Sequence, residues 1–147
     1  NLTDKLDGFN IDIGKMLLSP TRSYAPLLKL IFDEIGRNKI NGIIHCTGGG
    51  QTKVLHFCEN KKIIKNNLFE IPEIFKIIHK DTNSSLKEMY EVFNMGHRME
   101  IYCSAEIAND IINISNEFQI DAKIIGHVEE SSKKSLVIES KEEIIEY

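Results

Sequence analysis

His45-Cys46-Thr47-Gly48-Gly49-Gly50 follows the apolar pair Ile43-Ile44, so a strand empties into three consecutive glycines. Glycine has no Cβ, and successive residues at positive φ can aim their N–H groups at one point. The result is a concavity that suits phosphate. Ordering three glycines is costly in backbone entropy. A plain flexible turn is the competing reading, and spacing alone does not separate the two. Two familiar phosphate loops are excluded. No Gly-x-x-x-x-Gly-Lys run ending in Ser or Thr begins at Gly42 or Gly50, and a Gly-x-Gly-x-x-Gly count from Gly48 ends on Lys53.

Two arginines stand near turns. Arg22 follows Ser19-Pro20-Thr21 and precedes a helical pattern, where a guanidinium fork can meet an anion beside helix N-terminal amides. His97-Arg98 follows Asn94-Met95-Gly96 and adds a second positive site at an element junction. Of the five histidines, at 45, 56, 79, 97 and 127, none forms a His-x-His or His-Glu-x-x-His pair, so no metal site is expected. His45, at the strand end that feeds the glycines, is the catalytic candidate. Its alternative is a core or rim imidazole with a satisfied hydrogen bond. Cys46, Cys58 and Cys103 lack Cys-x-x-Cys spacing, which indicates neither a disulfide framework nor zinc and fits a reducing cytoplasm. A Ser/His/Asp or Cys/His arrangement cannot be read from adjacency, because the fold assembles such sites.

The elements that must position these residues follow from periodicity. Residues 1–13 read as a lead-in or linker, and regular structure starts near Gly14. Lys15 to Leu18 is a short apolar stretch stopped by Ser19-Pro20. Tyr24, Leu27, Leu28, Ile31 and Ile35 fall at helical spacing, with Thr21 or Ser23 as cap, Pro26 in the first turn and Gly36 as stop. Asn41 to Thr47 is a strand expected to be buried on both faces, and Val54 to Phe57 is a helical turn or a strand. Lys62 to Lys65 is a strand whose lysines, with Lys61, form a solvated side. A helix opens at Pro72 and buries Ile74, Ile77 and Ile78. Ser85-Leu86-Lys87-Glu88 is a capping box for a helix striped by Leu86, Met89, Tyr90 and Phe93. Met99, Ile101 and Cys103 alternate with Glu100 and Tyr102 as a half-buried strand. Ser104 caps a helix striped by Ile107, Ile111, Ile114 and Phe118. Lys123 to Val128 and Ser135 to Glu139, joined by a polar turn, predict an antiparallel hairpin. The fold class is α/β, a mixed α+β sheet with helices packed on it.

The 147 residues suffice for one domain burying roughly 70% of its unfolded surface. A net charge of −4 argues against nucleic acid as a partner. No apolar stretch is long enough to span a bilayer, and the start does not resemble a secretion signal. The chain begins at Asn1 rather than Met, and a piece of something longer is the expectation.

Four segments, in order, resemble the C-terminal domain of the phosphoribosylformylglycinamidine cyclo-ligase (aminoimidazole ribonucleotide synthetase) family. Leu17-Leu18-Ser19-Pro20-Thr21-Arg22-Ser23-Tyr24 is similar to its Leu-Leu-x-Pro-Thr-Arg-x-Tyr, and His45 to Gly50 to its His-Ile-Thr-Gly-Gly-Gly. Glu88 to Gly96 is similar to Glu-Met-Tyr-x-x-Phe-Asn-Met-Gly, and Ile125-Gly126-His127-Val128 to a terminal Ile-Gly-x-Ile/Val. After the glycines, however, the family's Asn-Leu/Ile-Pro-Arg is replaced by Thr52-Lys53-Val54-Leu55. His97-Arg98 also stands where small apolar residues are usual. Lys53 or Arg98 is the substitute for the missing charge.

The resemblance implies ATP-dependent ring closure in purine synthesis. Formylglycinamidine ribonucleotide is the substrate, and ATP and Mg²⁺ are held mainly by an N-terminal domain absent from this chain. It implies substrate or phosphate binding by Thr21, Arg22, Thr47, Gly48, Gly49, Gly50, Asn94, Gly96 and Arg98, with no metal ligand. Residues 14–147 are then the synthetase C-terminal domain, inactive alone and homodimeric when complete. Relatives of the formylglycinamidine synthetase, thiamine-phosphate kinase, selenophosphate synthetase and hydrogenase-maturation types are the alternatives, together with a non-catalytic phosphate-binding module.

Overall fold

The structure, a computed structural model, describes residues 1–6 and 8–147; Asp7 of the expected lead-in lies outside the described residues. Asp12 opens the first helical turn, α1 (Ile13–Leu17), its Oδ1 accepting the Lys15 N–H at 2.8 Å. The apolar stretch before Ser19-Pro20 is therefore helical. α2 (Ala25–Ile31) carries Pro26 in its first turn, as expected, but Tyr24 occupies the N-cap and neither Thr21 nor Ser23 caps it. The chain continues through a π-turn, Phe32–Gly36, and a 3₁₀ turn, Arg37–Lys39, so Gly36 at φ +96° does end the helical run.

β1 (Ile40–His45) pairs antiparallel with β3 (Met99–Cys103), Ile44 lying opposite Glu100 and His45 opposite Met99. β2 (Lys61–Lys65) is the centre of a second, mixed sheet. It pairs antiparallel with β4 (Gly126–Glu130) and parallel with β5 (Ser135–Glu139), and β6 (Ile144–Glu146) closes the far edge. The expected β4–β5 hairpin does not form, because β2 lies between the two strands. The polar turn satisfies hairpin spacing, yet nonlocal pairing with β2 gives both strands a partner.

Three helices complete the layers: α3 (Glu73–Thr82), α4 (Leu86–Val92) and α5 (Ala105–Glu117). The capping box is realised, with the Glu88 N–H donating to Ser85 Oγ and the Ser85 N–H donating to the Glu88 carboxylate. Ser104 sits at the N-cap of α5 without a side-chain cap bond. Leu27, Ile31 and Ile35 pack with Ile111 and Ile114 of α5, and Ile40, Met99, Ile101 and Cys103 press on this cluster from the two-stranded sheet. A second core joins Ile44 and Cys46 to Ile63, Leu136, Ile138 and Ile145 of the mixed sheet and to Leu86, Met89 and Tyr90 of α4. At about 1.5–3 kcal/mol per buried large apolar side chain, these clusters hold the layers together.

β1 and β3 are thus a middle layer, which corrects two expectations. Glu100, expected on a solvated side, is 6% exposed, because the mixed sheet covers that face. Lys65, expected on the wet side of β2, is 2% exposed and meets it there. Within β1, Ile44 is buried, Ile43 half-buried and His45 exposed, so burial on both faces is incomplete. In α3, Ile74, Ile77 and Ile78 are half-buried rather than buried. Lys53–His56 is a 3₁₀ turn, which settles the ambiguity there in favour of a helical turn.

Candidate functional site

β1 ends at the glycine loop, where Gly48, Gly49 and Gly50 adopt φ of +63°, +85° and +45°. Lys53, one turn on, reaches back, its Nζ donating to the carbonyls of His45 at 3.0 Å and Thr47 at 2.9 Å. Thr52 closes the turn, its N–H and Oγ1 both donating to the Gly49 carbonyl at 3.0 Å. Among the described residues, no protein acceptor takes the amides of Gly48, Gly49 or Gly50. The carbonyls of His45, Thr47 and Gly49 are therefore occupied while the three glycine amides donate to no protein acceptor, a polarity biased toward anions. Gly50 is pressed onto the end of α4, so that a Cβ there would stand 2.5 Å from the Tyr90 carbonyl oxygen and 2.6 Å from that of Phe93.

His45 is exposed at the loop's edge. Its Nδ1 lies 3.3 Å from Thr47 Oγ1, and its ring meets Tyr24 edge-on with centroids 6.4 Å apart. Adjacent Cys46 is buried. Loss of hydration and the nearby Glu100 carboxylate push its thiol up to about 12, which keeps it protonated and removes it as a nucleophile.

The other expected residues lie elsewhere. A cleft of about 1690 Å³ is walled in part by Thr21, Arg22, Asn94, Gly96 and Arg98, whereas His45 and Thr47–Gly50 lie outside its lining. The Cys46 N–H donating to the Arg98 carbonyl at 2.9 Å joins loop to cleft. Arg22 does not stand free: its Nη1 donates to the Gln119 carbonyl at 2.9 Å, tying the segment before α2 to the end of α5. Asn94 builds a turn, its Oδ1 accepting the Gly96 N–H at 2.9 Å. Gly96, at φ +100°, sits against Pro72 and Glu70. Arg98 is exposed, and its guanidinium has no partner among the described residues.

His97 corrects the expected double positive site. It is 3% exposed, and its Nε2 accepts the Phe69 N–H at 3.1 Å. Burial lowers its pKa to about 4; Glu100 pulls upward, while Lys65 and Lys123 push further down. An unfolded histidine titrates near 6.5, so between the two values the unfolded chain binds the extra proton. Stability is full above about pH 6.5 and is lost as pH falls toward 4, by about 3 kcal/mol. Melting temperatures between pH 7.5 and 4.5 are expected to fall more steeply for the wild type than for His97→Gln, which keeps an acceptor for Phe69. Equal slopes would refute this.

A group that sequence reasoning missed lies beneath the loop. Lys65 Nζ donates to the Gln51 carbonyl at 2.9 Å, to Gln51 Oε1 at 2.8 Å and to Glu100 Oε1 at 2.6 Å. The Tyr102 hydroxyl donates to Glu100 Oε2 at 2.6 Å, and burial beside that carboxylate pushes the phenol pKa upward. Gln51, 1% exposed, donates its N–H to the Tyr90 carbonyl at 2.8 Å and its Nε2 to the Asn94 carbonyl at 2.7 Å. Lys65 and Glu100 stand 35 residues apart on strands whose alternation pointed both outward, so no local spacing announces the pair.

The pattern of the AIR synthase related protein, C-terminal domain family matches residues 2–139. A phosphoribosylformylglycinamidine cyclo-ligase from Methanococcus vannielii is 35% identical over 149 residues, covering 100% of this chain and 41% of that protein. One from Clostridium kluyveri is 37% identical over 140 residues, covering 88% of this chain and 39% of that protein. The chain thus spans about two fifths of the length of these curated relatives. Among solved structures, E. coli HypE, a hydrogenase maturation protein, superposes with a TM-score of 0.58 at 17% identity, over 84% of this chain and 40% of that one, which bears on the fold alone. No helix among the described residues is long and apolar enough to cross a membrane. With the glycine loop, the Asn94–Gly96 turn and the mixed sheet placed in one architecture that the pattern covers almost end to end, the chain belongs to the AIR synthase related protein, C-terminal domain family.

Proposed function

We propose that this chain is the C-terminal half of an ATP-dependent cyclo-ligase that forms aminoimidazole ribonucleotide from formylglycinamidine ribonucleotide. One observation carries the reading: Lys53 occupies the carbonyls of His45 and Thr47 and Thr52 that of Gly49, while the amides of Gly48, Gly49 and Gly50 donate to no protein acceptor. Such a loop suits the phosphate of a ribonucleotide or of ATP. The names of the relatives support the reaction.

In that reaction the formyl oxygen takes the γ-phosphoryl group, the ribose-linked nitrogen attacks the activated carbon, and phosphate leaves. Both partners are polyanions, so positioning and charge stabilisation supply most of the rate. The glycine amides hold one phosphate. Arg98, with its free guanidinium, brings positive charge to the cleft wall, and Arg22 fixes that wall against α5. His45 with Thr47 stands at the loop's edge, within reach of a ligand seated there. Among the described residues no three His, Cys, Asp or Glu side chains converge, and Glu100 is engaged by Lys65 and Tyr102. Mg²⁺ is commonly held by one or two carboxylates together with waters and the substrate's own phosphates, and no step is assigned to a metal on this chain. An N-terminal domain reached through residues 1–13 would supply the metal and most of the ATP site, in a cytoplasmic homodimer.

The full-length protein is expected to release phosphate from ATP only when formylglycinamidine ribonucleotide is present, and residues 1–147 alone to release none. Gly48→Ala in the full-length protein is expected to raise KM for one ligand about tenfold, the equivalent of one lost hydrogen bond to a charged group. The added methyl meets no protein atom within 4 Å, so the cost to melting is the left-handed backbone at φ +63° alone, about 1–2 kcal/mol. Unchanged KM for both ligands, or phosphate release that ignores the ribonucleotide, would sink the reading.

A further inference from the structure

We infer that the buried Lys65–Glu100 pair, acting through Gln51, is the positioning device that sets the glycine loop and the Asn94–Gly96 turn in their mutual geometry. Gln51 is the hub. It directly follows Gly50, so whatever fixes its backbone fixes the loop's exit. Its N–H is held by the Tyr90 carbonyl at 2.8 Å, and its carbonyl and Oε1 are both held by Lys65 Nζ, at 2.9 and 2.8 Å. Its Nε2 reaches the Asn94 carbonyl at 2.7 Å, at the head of the turn that carries Gly96 and Arg98. One side chain therefore spans both segments, and one ammonium decides where it sits.

That ammonium is itself fixed. Lys65 has three N–H donors, and all three are spent, on the Gln51 carbonyl, Gln51 Oε1 and Glu100 Oε1. The second oxygen of Glu100 accepts the Tyr102 hydroxyl, so neither carboxylate oxygen is left without a donor. β2 supplies the lysine, β3 the glutamate and tyrosine, and the loop after β1 the glutamine. The network thus registers the mixed sheet, the middle layer and the loop at one point. Side-chain exposures of 2% for Lys65 and 4% for Glu100 exclude water that could loosen it. A pair retained under such burial is poor evidence for stability, since apolar residues of similar volume often serve as well. What apolar residues cannot do is donate to Gln51 and so orient it. The network touches no ligand and acts only through the loop.

This rests on the phosphate reading of the loop, and the test separates the two. In the full-length protein, the variant Lys65→Met/Glu100→Leu/Tyr102→Phe removes the charges and the phenol together, leaving no buried ion. The expected result is a folded protein that melts between Lys65→Met and the wild type, since no charge is stranded but two Gln51 acceptors lose their donor, with KM for the ligand seated on the loop raised at least tenfold and kcat within about threefold. A folded variant with unchanged KM overturns the inference. If the wild type itself gives no ribonucleotide-dependent phosphate release, the functional reading fails, and the inference is decided instead by the amide resonances of Gly48, Gly49 and Gly50. Displacement of those resonances in the variant, with weaker response to inorganic phosphate, supports it; superimposable spectra overturn it. Should the triple variant not fold, Gln51→Leu, which keeps the ion pair but cuts the link to Asn94, is read by the same KM and resonance criteria.

Discussion

Gly50→Ala is expected to lower the melting temperature by on the order of 10 °C and to remove ligand binding with it. The cause is steric. A methyl at this position stands 2.5 Å from the Tyr90 carbonyl oxygen, 2.6 Å from that of Phe93 and 2.9 Å from that of Glu91. All three obstacles are backbone at the end of α4, so no side chain can swing away. Overpacking of this kind costs about 1–3 kcal/mol, and left-handed backbone at φ +45° adds about 1–2 kcal/mol for a residue with a Cβ. For a domain near this size each kcal/mol is worth roughly 2–4 °C. Gly48→Ala, two residues earlier in open space but at φ +63°, is the control: it should carry only the left-handed backbone cost of about 1–2 kcal/mol and lose affinity, whereas Gly50→Ala should add the steric cost and melt clearly lower. Thermal unfolding of the two variants side by side decides it, and a Gly50→Ala protein that melts with the wild type would contradict the packing described.

Lys65→Met alone should cost about 3–5 kcal/mol, because it strands the Glu100 carboxylate at 4% side-chain exposure with only the Tyr102 hydroxyl to oppose its charge. Adding Glu100→Leu should return most of that loss. The single and double variants form a cycle whose coupling measures the buried pair directly. Chemical denaturation midpoints at neutral pH provide the numbers. A single variant as stable as the wild type, or a double variant no better than the single, would mean that the pair is hydrated after all.

What could be read from residue order was whatever is decided within a few residues. The Ser85–Glu88 capping box is closed by groups three apart, and it forms as the spacing requires. The Ile111 and Ile114 stripe and the positive φ of the triple glycine are likewise local, and both appear. The alternation of β3 was also legible, but not what covers its second face. Glu100 and Tyr102 alternate with apolar residues as a wet face would, yet the mixed sheet lies over them. Lys65 has the same origin: a lysine beside an isoleucine pair reads as solvated until a glutamate from another strand arrives. The β4–β5 turn fits a hairpin, and only the insertion of β2 rules it out. For the candidate site, the motif residues were found but not their division. Asn94 and Gly96 turn the chain, Arg22 struts it and His97 and Gly50 are buried, while Thr21, His45, Thr47, Gly48, Gly49 and Arg98 are exposed.

The place of β2 between β4 and β5 also has a meaning for synthesis on the ribosome. Both of its neighbours are encoded more than sixty residues downstream. At about 5–20 residues per second, β2 waits several seconds as an unpaired strand, Ile63 and Ile64 flanked by three lysines. Glu100 reaches Lys65 sooner, 35 residues on, so β3 can dock on β2 before either flanking strand exists. In the nascent chain, the charge pair beneath the glycines is then available to β2 after its contact with Gln51 and before either flanking strand, a clasp on the face of β2 while both of its edges still wait for their partners.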